Sequence, residues 1–498
     1  TNFSDEVKKE YNQIYPNARK YIGEIRRDKQ VRLTLADVLQ RSLANNYQIH
    51  IDSFNPAIST AQVVQAEAAF DVAFFANVSR DNRNQPTPTQ LQASDRDTTT
   101  VSGGIRKLLA TGAAVTMTQT MVRVDNPGFA FNTLNPSWIQ AFVAEIRQPL
   151  LRNFGIDFSR SQINLRKTER VINREAFRAT VIDTLNNTER AYWDLVFARR
   201  DVPISAEILA QAERTYAQIL ARIDFDAYKT LLSRSEANVA AQEFNYANVK
   251  ARVRNAEDIL LNAINDPQLP MSAEYEIIPV DNPITAGIIR DRYHEVEIAL
   301  QRRPELIQAR HSVDLTRINL GIAKNQALPQ VDVVYRATFN GLGSNASRAF
   351  DQETSGRFVD QFVGVELAWN FGERAERAGI RIAKLQQSQA VAAYRKALDD
   401  VITDCRVALR NLNTSFEQIG TSRVAVTSGF DNLRAQQERL ERMSPADLDS
   451  VLASQSNLAQ ARRAFLQAIV NYNQGIADVE RAKGTLLEYN NVVLDERP

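Results

Sequence analysis

The prolines of this chain leave two long stretches almost free of that residue, which strongly limits the possible folds. Only Pro203 lies between Pro149 and Pro267, and no proline lies between Pro329 and Pro445. Because proline disrupts the interior of a helix, both stretches can be helical over most of their length. Small and aliphatic residues recur at three- and four-residue spacing in 373–443, which predicts a helix of about 70 residues, roughly 100 Å long. The same pattern predicts helices at 156–222, 233–265 and 446–487, and helices this long indicate coiled-coil packing.

Other segments alternate with a period of two, which is typical of strands with one apolar face. The first predicted strand of the second half has apolar side chains on one face: Val331, Val333, Tyr335, Ala337 and Phe339. The next strand alternates in the same way: Val363, Val365, Leu367, Trp369 and Phe371. A polar loop is predicted between them at 341–356. In the first half we predict a strand at Val72–Val78, a hairpin at 99–124 that turns at Thr111-Gly112, and a strand containing Trp138, Phe142 and Ile146.

The two halves of the sequence match one another. Asn153-Phe154-Gly155 recurs as Asn370-Phe371-Gly372, 217 residues later, each time after a predicted strand and before a long helix. Leu39 corresponds to Val296 at a spacing of 257, so the first half contains about 40 additional residues in its β region. Matching segments that recur in the same order, and next to the same predicted elements, indicate an internal duplication.

Composition is compatible with a membrane protein built from strands. The net charge is +1 and 44% of residues are hydrophobic, which excludes a strongly basic nucleic-acid binder and a disordered chain. No apolar run is long enough for a transmembrane helix, whereas strands of about ten residues can cross a bilayer. Four to six strands are too few to close a barrel, so closure requires several chains.

The chain resembles the TolC-like outer-membrane efflux protein family over roughly 33–488. The residues that carry the resemblance occur in the family's order: 33–39 (LTLADVL), 43–46 (LANN), 148–155 (QPLLRNFG), 327–332 (ALPQVD), 363–372 (VGVELAWNFG), 451–461 (VLASQSNLAQA) and 482–484 (AKG). The resemblance implies an α+β membrane protein, with long antiparallel helical hairpins and membrane strands. Three chains would form a 12-stranded β-barrel, or a larger one if the extra hairpin joins it, continued by an α-helical barrel.

The resemblance also implies a function and partners. It implies a passive channel in the Gram-negative outer membrane that serves tripartite efflux or type I secretion of drugs, metals or proteins. The implied partners are two further copies of the chain, a periplasmic adaptor protein, an inner-membrane transporter and outer-membrane lipid. No nucleic acid, cofactor or metal is expected.

Site residues are predicted at the periplasmic tip, where the resemblance implies that each helical hairpin turns. Acidic candidates for a gate are Asp447 and Asp449 in the second half and Asp224 and Asp226 in the first. Helix N-capping is the alternative role for these residues.

Four aromatic residues are predicted to lie at the membrane interface: Trp138, Tyr335, Trp369 and Phe371. Ordinary core packing is the alternative for them. The single cysteine, Cys405, is expected to be a buried small residue.

The predicted organisation follows from these segments. It comprises an N-terminal extension (1–32), first-half helices (33–70), first-half strands (71–153), a helical hairpin (154–266), a linker (267–289), second-half helices (290–328), a β-hairpin (329–372), a second helical hairpin (373–488) and a tail (489–498). A soluble coiled-coil scaffold is the alternative function. An enzyme is a more distant one, since the sequence contains no nucleophile–base pairing, glycine-rich phosphate loop or metal-ligand spacing.

Overall fold

A computed structural model describes residues 29–87, 93–127, 133–222, 229–271, 275–442 and 448–494, with the side chains of 439–442 and 448–449 left aside. The chain divides into two compact units. The helical unit comprises Thr1–Pro56, Arg174–Ile307 and Arg395–Pro498, and the sheet unit comprises Ala57–Asn173 and Gln308–Tyr394.

The sheet unit is built on one six-stranded sheet. Its strands are β2 (Ala73–Asn84), β3 (Asp95–Leu108), β4 (Ala114–Asp125), β5 (Ser137–Pro149), β7 (Gln330–Gly343) and β8 (Val359–Ala368), hydrogen-bonded in that order. Every neighbouring pair is antiparallel. The predicted hairpin at 99–124 is confirmed as β3–β4. Its turn contains Gly112 at φ +89°, a conformation in which a Cβ would also meet the Asn153 carbonyl oxygen at 2.4 Å. Of the two alternatives for strands per chain, four or six, the structure shows six in this sheet.

Two features of the second-half hairpin differ from the sequence prediction. A helix, Ala346–Thr354, occupies most of the predicted polar loop. It begins after Asn345, whose side chain accepts a hydrogen bond from the Arg348 backbone N–H. Strand β8 ends at Ala368, earlier than the alternation predicts, because its partner there is Gln330, the first residue of β7. Trp369 and Phe371 therefore lie just beyond the strand.

The remaining elements are largely helical, and all four predicted long helices are present. In chain order the helices are α1 (Leu35–Asn45), α2 (Tyr47–Glu67), α3 (Ile156–Ser159), α4 (Ser161–Ala221), α5 (Lys229–Ile264), α6 (Arg292–Arg302), α7 (Pro304–Gln326), α8 (Ala346–Thr354), α9 (Arg374–Arg442), α10 (Leu448–Lys483) and α11 (Leu486–Tyr489), with a short 3₁₀ turn at Ala68–Phe70. A two-stranded parallel sheet pairs β1 (Lys29–Leu33) with β6 (Tyr275–Pro279). The predicted linker therefore includes one strand.

The duplication seen in the sequence is present in the backbone. Helices α1 and α6 each have 11 residues, and each is followed by one extended residue, Asn46 (φ −64°, ψ 124°) or Arg303 (φ −65°, ψ 122°). Helices α5 and α10 each have 36 residues. Gly155 and Gly372, the glycines of the repeated tripeptide, have φ of +101° and +98°. The two halves therefore repeat one order of elements with matched local geometry.

Aliphatic and aromatic side chains form the core of the helical unit. One cluster joins α4, α5 and β6 through Tyr192, Leu195, Leu260 and Ile277. A second cluster joins α9 and α10, and there Cys405 is fully buried beside residues such as Leu409 and Val479, as predicted. Burial raises the pKa of the Cys405 thiol, which is typical of an inert structural cysteine.

Candidate functional site

One face of the six-stranded sheet is mostly apolar and strongly exposed. Its strands pair so that Phe74, Ile105, Met117, Ala144 and Ala337 form a single row across five strands, completed by Gln361 on β8. Phe74 is 82% exposed and Val363 is 72% exposed. We call this surface the apolar face. Both of these residues lie on the edge strands, and on the inner strands Met117, Ile146 and Tyr335 are 37–40% exposed. Exposed apolar side chains on this many neighbouring strands are unusual for a soluble protein.

The opposite surface, which we call the polar face, carries charged and hydroxyl side chains. The row next to the one above contains Arg106, Thr116, Glu145 and Arg336, in register on β3, β4, β5 and β7. The Arg336 guanidinium donates to the Glu145 carboxylate at 2.7 Å. This alternation of an apolar and a polar face is typical of a strand wall between lipid and water.

A second ion cluster continues the polar face toward the start of β7. Arg147 on β5 contacts the carboxylate of Asp332 on β7 at 3.4 Å and also that of Glu366 on β8. At the other end of these strands, the Asn340 amide donates to Asp360 at 2.7 Å. The charged groups of the polar face therefore have polar partners on neighbouring strands.

Helix α8 covers the polar exceptions on the apolar face. Gln119 donates to Glu353 of α8 at 2.8 Å, and Gln140 donates to the Ala346 carbonyl oxygen at 3.0 Å. The backbone of α8 lies so close to β7 that position 341 must be glycine, since a Cβ there would lie 2.0 Å from the Ala349 carbonyl oxygen. The polar patch that would interrupt the apolar face is thus satisfied and covered.

Beyond α8, two ion pairs lie on the apolar face near the ends of the strands. Arg80 pairs with Asp97 at 2.5 Å, and Arg123 pairs with Asp125 at 2.9 Å. From Phe339 to Val331 the apolar side chains of β7 cover roughly 27 Å along the strand. With a strand tilt of about 40°, this corresponds to roughly 20 Å of height, close to the apolar band of membrane barrels.

The predicted interface aromatics lie at different heights on the sheet. Trp138 pairs with Gly343 near the end of β7, whereas Trp369 follows β8 at the level of Gln330, where β7 begins. Trp369 and Phe371 are exposed and pack together with ring centroids 5.6 Å apart, and the Trp369 indole N–H donates to Glu373 at 2.8 Å. Tyr335 lies within β7 on the apolar face, between Ile146 and Val363.

The turn that follows Trp369 anchors the start of α9. The Asn370 amide donates to the Glu376 carboxylate at 2.8 Å, and this hydrogen bond lowers the pKa of Glu376. Glu376 lies in the first turn of α9, where a negative charge is favoured by the helix dipole. A carboxylate at this position helps to fix where the strand ends and the helix begins.

The predicted tip residues are only partly within the described part of the chain. Asp224, Asp226 and Asp447 lie outside it, and Asp449 lies in the first turn of α10 with no described side chain. The structure does show that α4 ends at Ala221 and α5 begins at Lys229, and that α9 ends at Arg442 and α10 begins at Leu448. In sequence, Asp224, Asp226 and Asp447 therefore fall between the ends of successive long helices, whereas Asp449 belongs to α10.

Sequence reasoning missed the ion partners of the polar face. Glu145 and Arg336 are 191 residues apart, and Arg147 and Glu366 are 219 residues apart. Local periodicity places each residue on a face, but the pairing depends on the β5–β7 register. The signal available in the sequence is the alternation of Glu145 and Arg147 with apolar residues on β5.

The described residues contain no cluster of three or more histidine, cysteine, aspartate or glutamate side chains suited to a metal ion. Across the same residues, no helix combines the length and hydrophobicity needed to cross a bilayer.

Comparison with known proteins points to one family. The family model for outer membrane efflux proteins matches residues 296–485. The probable outer membrane lipoprotein SilC of Salmonella typhimurium is 23% identical over 341 residues, which cover 66% of this chain and 65% of SilC, just under two thirds of its length. The cation efflux system protein CusC of Escherichia coli K12 is 21% identical over 371 residues, 70% of each chain.

Solved structures show the same fold. A membrane protein from Pseudomonas aeruginosa superposes with a TM-score of 0.68 at 17% identity, over 90% of this chain and 93% of that one. A structure of CusC, described in connection with transmembrane channel formation, gives a TM-score of 0.65 at 16% identity, over 93% of this chain and 95% of its own. The fold likeness therefore extends over both halves, beyond the segment that the family model matches.

Proposed function

We propose that this chain, whose residues 296–485 match the family model for outer membrane efflux proteins, is a member of that family and the exit channel of a tripartite export system. It conducts cargo passively from the periplasm to the exterior and carries out no covalent chemistry. The observation that supports this proposal is the sheet itself, with one exposed apolar face and one charged face. Lipid solvates the first surface and water the second.

Assembly is part of the proposal because the sheet has two unpaired edges. Every residue of β2 is exposed, and so are all residues of β8 except Val359 and Gly364. Within the described residues, neither strand has a second partner. Unpaired backbone groups cannot face lipid, so each edge must pair with another chain and the ring must close. A homotrimer satisfies this requirement, as the family resemblance implies.

The partners we propose are a periplasmic adaptor protein and an inner-membrane transporter, which supply energy and select the cargo. The helical hairpins α4–α5 and α9–α10 supply the surface for the adaptor. Outer-membrane lipid contacts the apolar face.

The test is to express the chain in a Gram-negative host, separate the membranes and record purified protein in planar bilayers. We expect it in the outer-membrane fraction, extracted only with detergent, and we expect discrete channel openings. Recovery in the soluble fraction without detergent would contradict the proposal.

We further propose that the acidic residues of the two hairpin connections contribute to a cation-sensitive gate. A ring of like carboxylates on a threefold axis would attract cations and hold them at the constriction. Replacing Asp447 and Asp449 together with asparagine should weaken block by divalent cations several-fold in single-channel recordings. The matched control replaces Asp399 and Asp400, which lie on the exposed surface of α9. Unchanged block in the first double variant would remove these residues from the gate.

A further inference from the structure

The β3–β4 hairpin is an insertion within the sheet. It lies between β2 and β5, and each of its strands is hydrogen-bonded over nearly its whole length to both neighbours. A family barrel of 12 strands from three chains would take four strands from each. This chain offers two more.

The side chains of the inserted hairpin follow the same division of faces as the other strands. Its apolar-face residues include Val101, Ile105, Val115, Met117 and Met121. The register places Ile105 and Met117 in one row with Ala144 and Ala337, and Val115 in one row with Ile146 and Tyr335. Its polar-face residues include Ser102, Arg106, Thr116, Thr118 and Thr120. Arg106 and Thr116 lie in one row with Glu145 and Arg336, Thr118 with Thr338, and Ser102 and Thr120 with Asn340. A hairpin that extended from the membrane into water would have water on both faces, so it would not need one apolar face.

The apolar pattern of the hairpin also ends where a membrane wall would end. Lys107 is the charged exception on its apolar face at one end, next to the turn that contains Gly112. At the other end the charged residues are Asp97, which pairs with Arg80 of β2, and Arg123, which pairs with Asp125. Charges at both ends of an apolar band are typical of membrane interfaces, where long side chains extend to the water.

The direction of the strands permits closure with all six. Because the strands alternate in direction, β2 and β8 at the two edges run antiparallel to one another. Strand β8 of one chain can therefore pair with β2 of the next in the same antiparallel manner. Three chains of six strands close a ring of 18.

We propose that all six strands of each chain lie in the barrel wall, so that the outer-membrane opening is an 18-stranded barrel. This inference rests on the proposed function. The diameter of a barrel grows roughly linearly with its strand number, so the opening is about 1.5-fold wider than that of a 12-stranded barrel. Its cross-section is then roughly doubled, which suits bulky or polymeric cargo. Barrels of 16–18 strands are those that leave an open aqueous channel.

Spin labels test whether the hairpin is in the wall. In a Cys405→Ser background, single cysteines are introduced at Met117 and Thr118 on β4 and at the matched positions Ala337 and Thr338 on β7. The register places Met117 in one row with Ala337 and Thr118 in one row with Thr338. In liposomes, we expect labels at 117 and 337 to collide mainly with oxygen, and labels at 118 and 338 mainly with a water-soluble nickel complex. Equal access of nickel to 117 and 118, with alternation kept at 337 and 338, would overturn the inference and leave the proposed channel intact.

A deletion measures the width. Removing Asp95–Asp125 takes out two strands, which leaves β2 antiparallel to β5 and able to pair with it. In projection images of the assembled protein, we expect the wild-type barrel to be about 1.5-fold wider than that of the deletion variant. Equal diameters would overturn the inference. Loss of alternation at 337 and 338 as well would instead contradict the membrane wall itself, and with it the proposed function.

Discussion

Glu189 on α4 is a buried carboxylate with an unusual titration. It is 4% exposed, and one of its carboxylate oxygens has no hydrogen-bond partner. Burial raises its pKa from 4.5 to about 7, and the carboxylate of Asp478 on α10 adds to the rise. Asp478 itself accepts hydrogen bonds from the Asn186 amide and the Arg190 guanidinium. The negative charge of Glu189 is therefore poorly compensated.

The sign of the pH dependence follows from the two protonation states. Between about pH 4.5 and 7 the folded protein holds a proton on Glu189 that the unfolded chain has released, so the free energy of unfolding falls as pH rises. Above about pH 7 Glu189 is ionised in both states, so the loss of stability from its buried charge stays constant. Glu189→Gln should remove that loss and stabilise the protein by about 2–3 kcal/mol at pH 8.

Thermal unfolding in detergent, followed by circular dichroism at pH 5 and pH 8, measures this effect. The control is Glu213→Gln, at an exposed position of the same helix, which should change neither midpoint. Identical pH dependence in Glu189→Gln and the wild type would show that Glu189 does not titrate in this range.

At the scale of elements, the two faces of the sheet predict opposite tolerance to charge. Val365→Arg places a cation on the apolar face of β8, which should cost about 2–4 kcal/mol near the middle of the bilayer. Thr338→Arg places the same cation on the polar face of β7, opposite Asp360, and should be tolerated. Folding into liposomes at increasing urea concentration, followed by gel shift, compares the two variants. Equal urea midpoints would show that the faces are not separated by a membrane.

The elements also show what sequence patterns can and cannot predict. The period of two predicts which side of β7 and β8 is apolar, because one residue in two faces the same way. Helix α8 escaped prediction since its sequence of nine residues contains serine, threonine and acidic residues and lies among glycines. It forms because the glycines at 341 and 343 let its backbone approach β7 more closely than any side chain would allow. Because this contact is between α8 and β7, it produces no periodic pattern in the sequence of α8 itself.

The site was predictable to a similar extent. Tyr335 and Trp138 could be assigned to strands from alternation alone. The end of α4 at Ala221 lies next to the predicted 222, whereas α5 begins at Lys229, before the predicted 233. The Arg147 cluster could not be predicted, because it depends on strands from both halves meeting between β5 and β7. Duplication indicates that two similar halves exist, but it does not specify which strands are neighbours.

At the scale of the whole molecule, the unpaired edges of β2 and β8 predict a closed ring of chains, and the proposed homotrimer sets its mass. Three times 56.0 kDa is 168 kDa, which is the protein mass expected for the detergent-solubilised assembly. Light scattering corrected for bound detergent measures it directly. A monomer or dimer that is stable in detergent would leave two strand edges unpaired and would contradict closure of the ring.

The antiparallel insertion of β3 and β4 also bears on how such a duct evolves. In a threefold assembly, any hairpin gained in the gene is counted three times, so the circumference grows by six strands at once and never by one. Both ends of a hairpin lie at the same end of the sheet, so the chain can enter the following helix from the same place as before. The diameter of the barrel therefore changes only in steps, and one inserted hairpin is enough to change it from one step to the next.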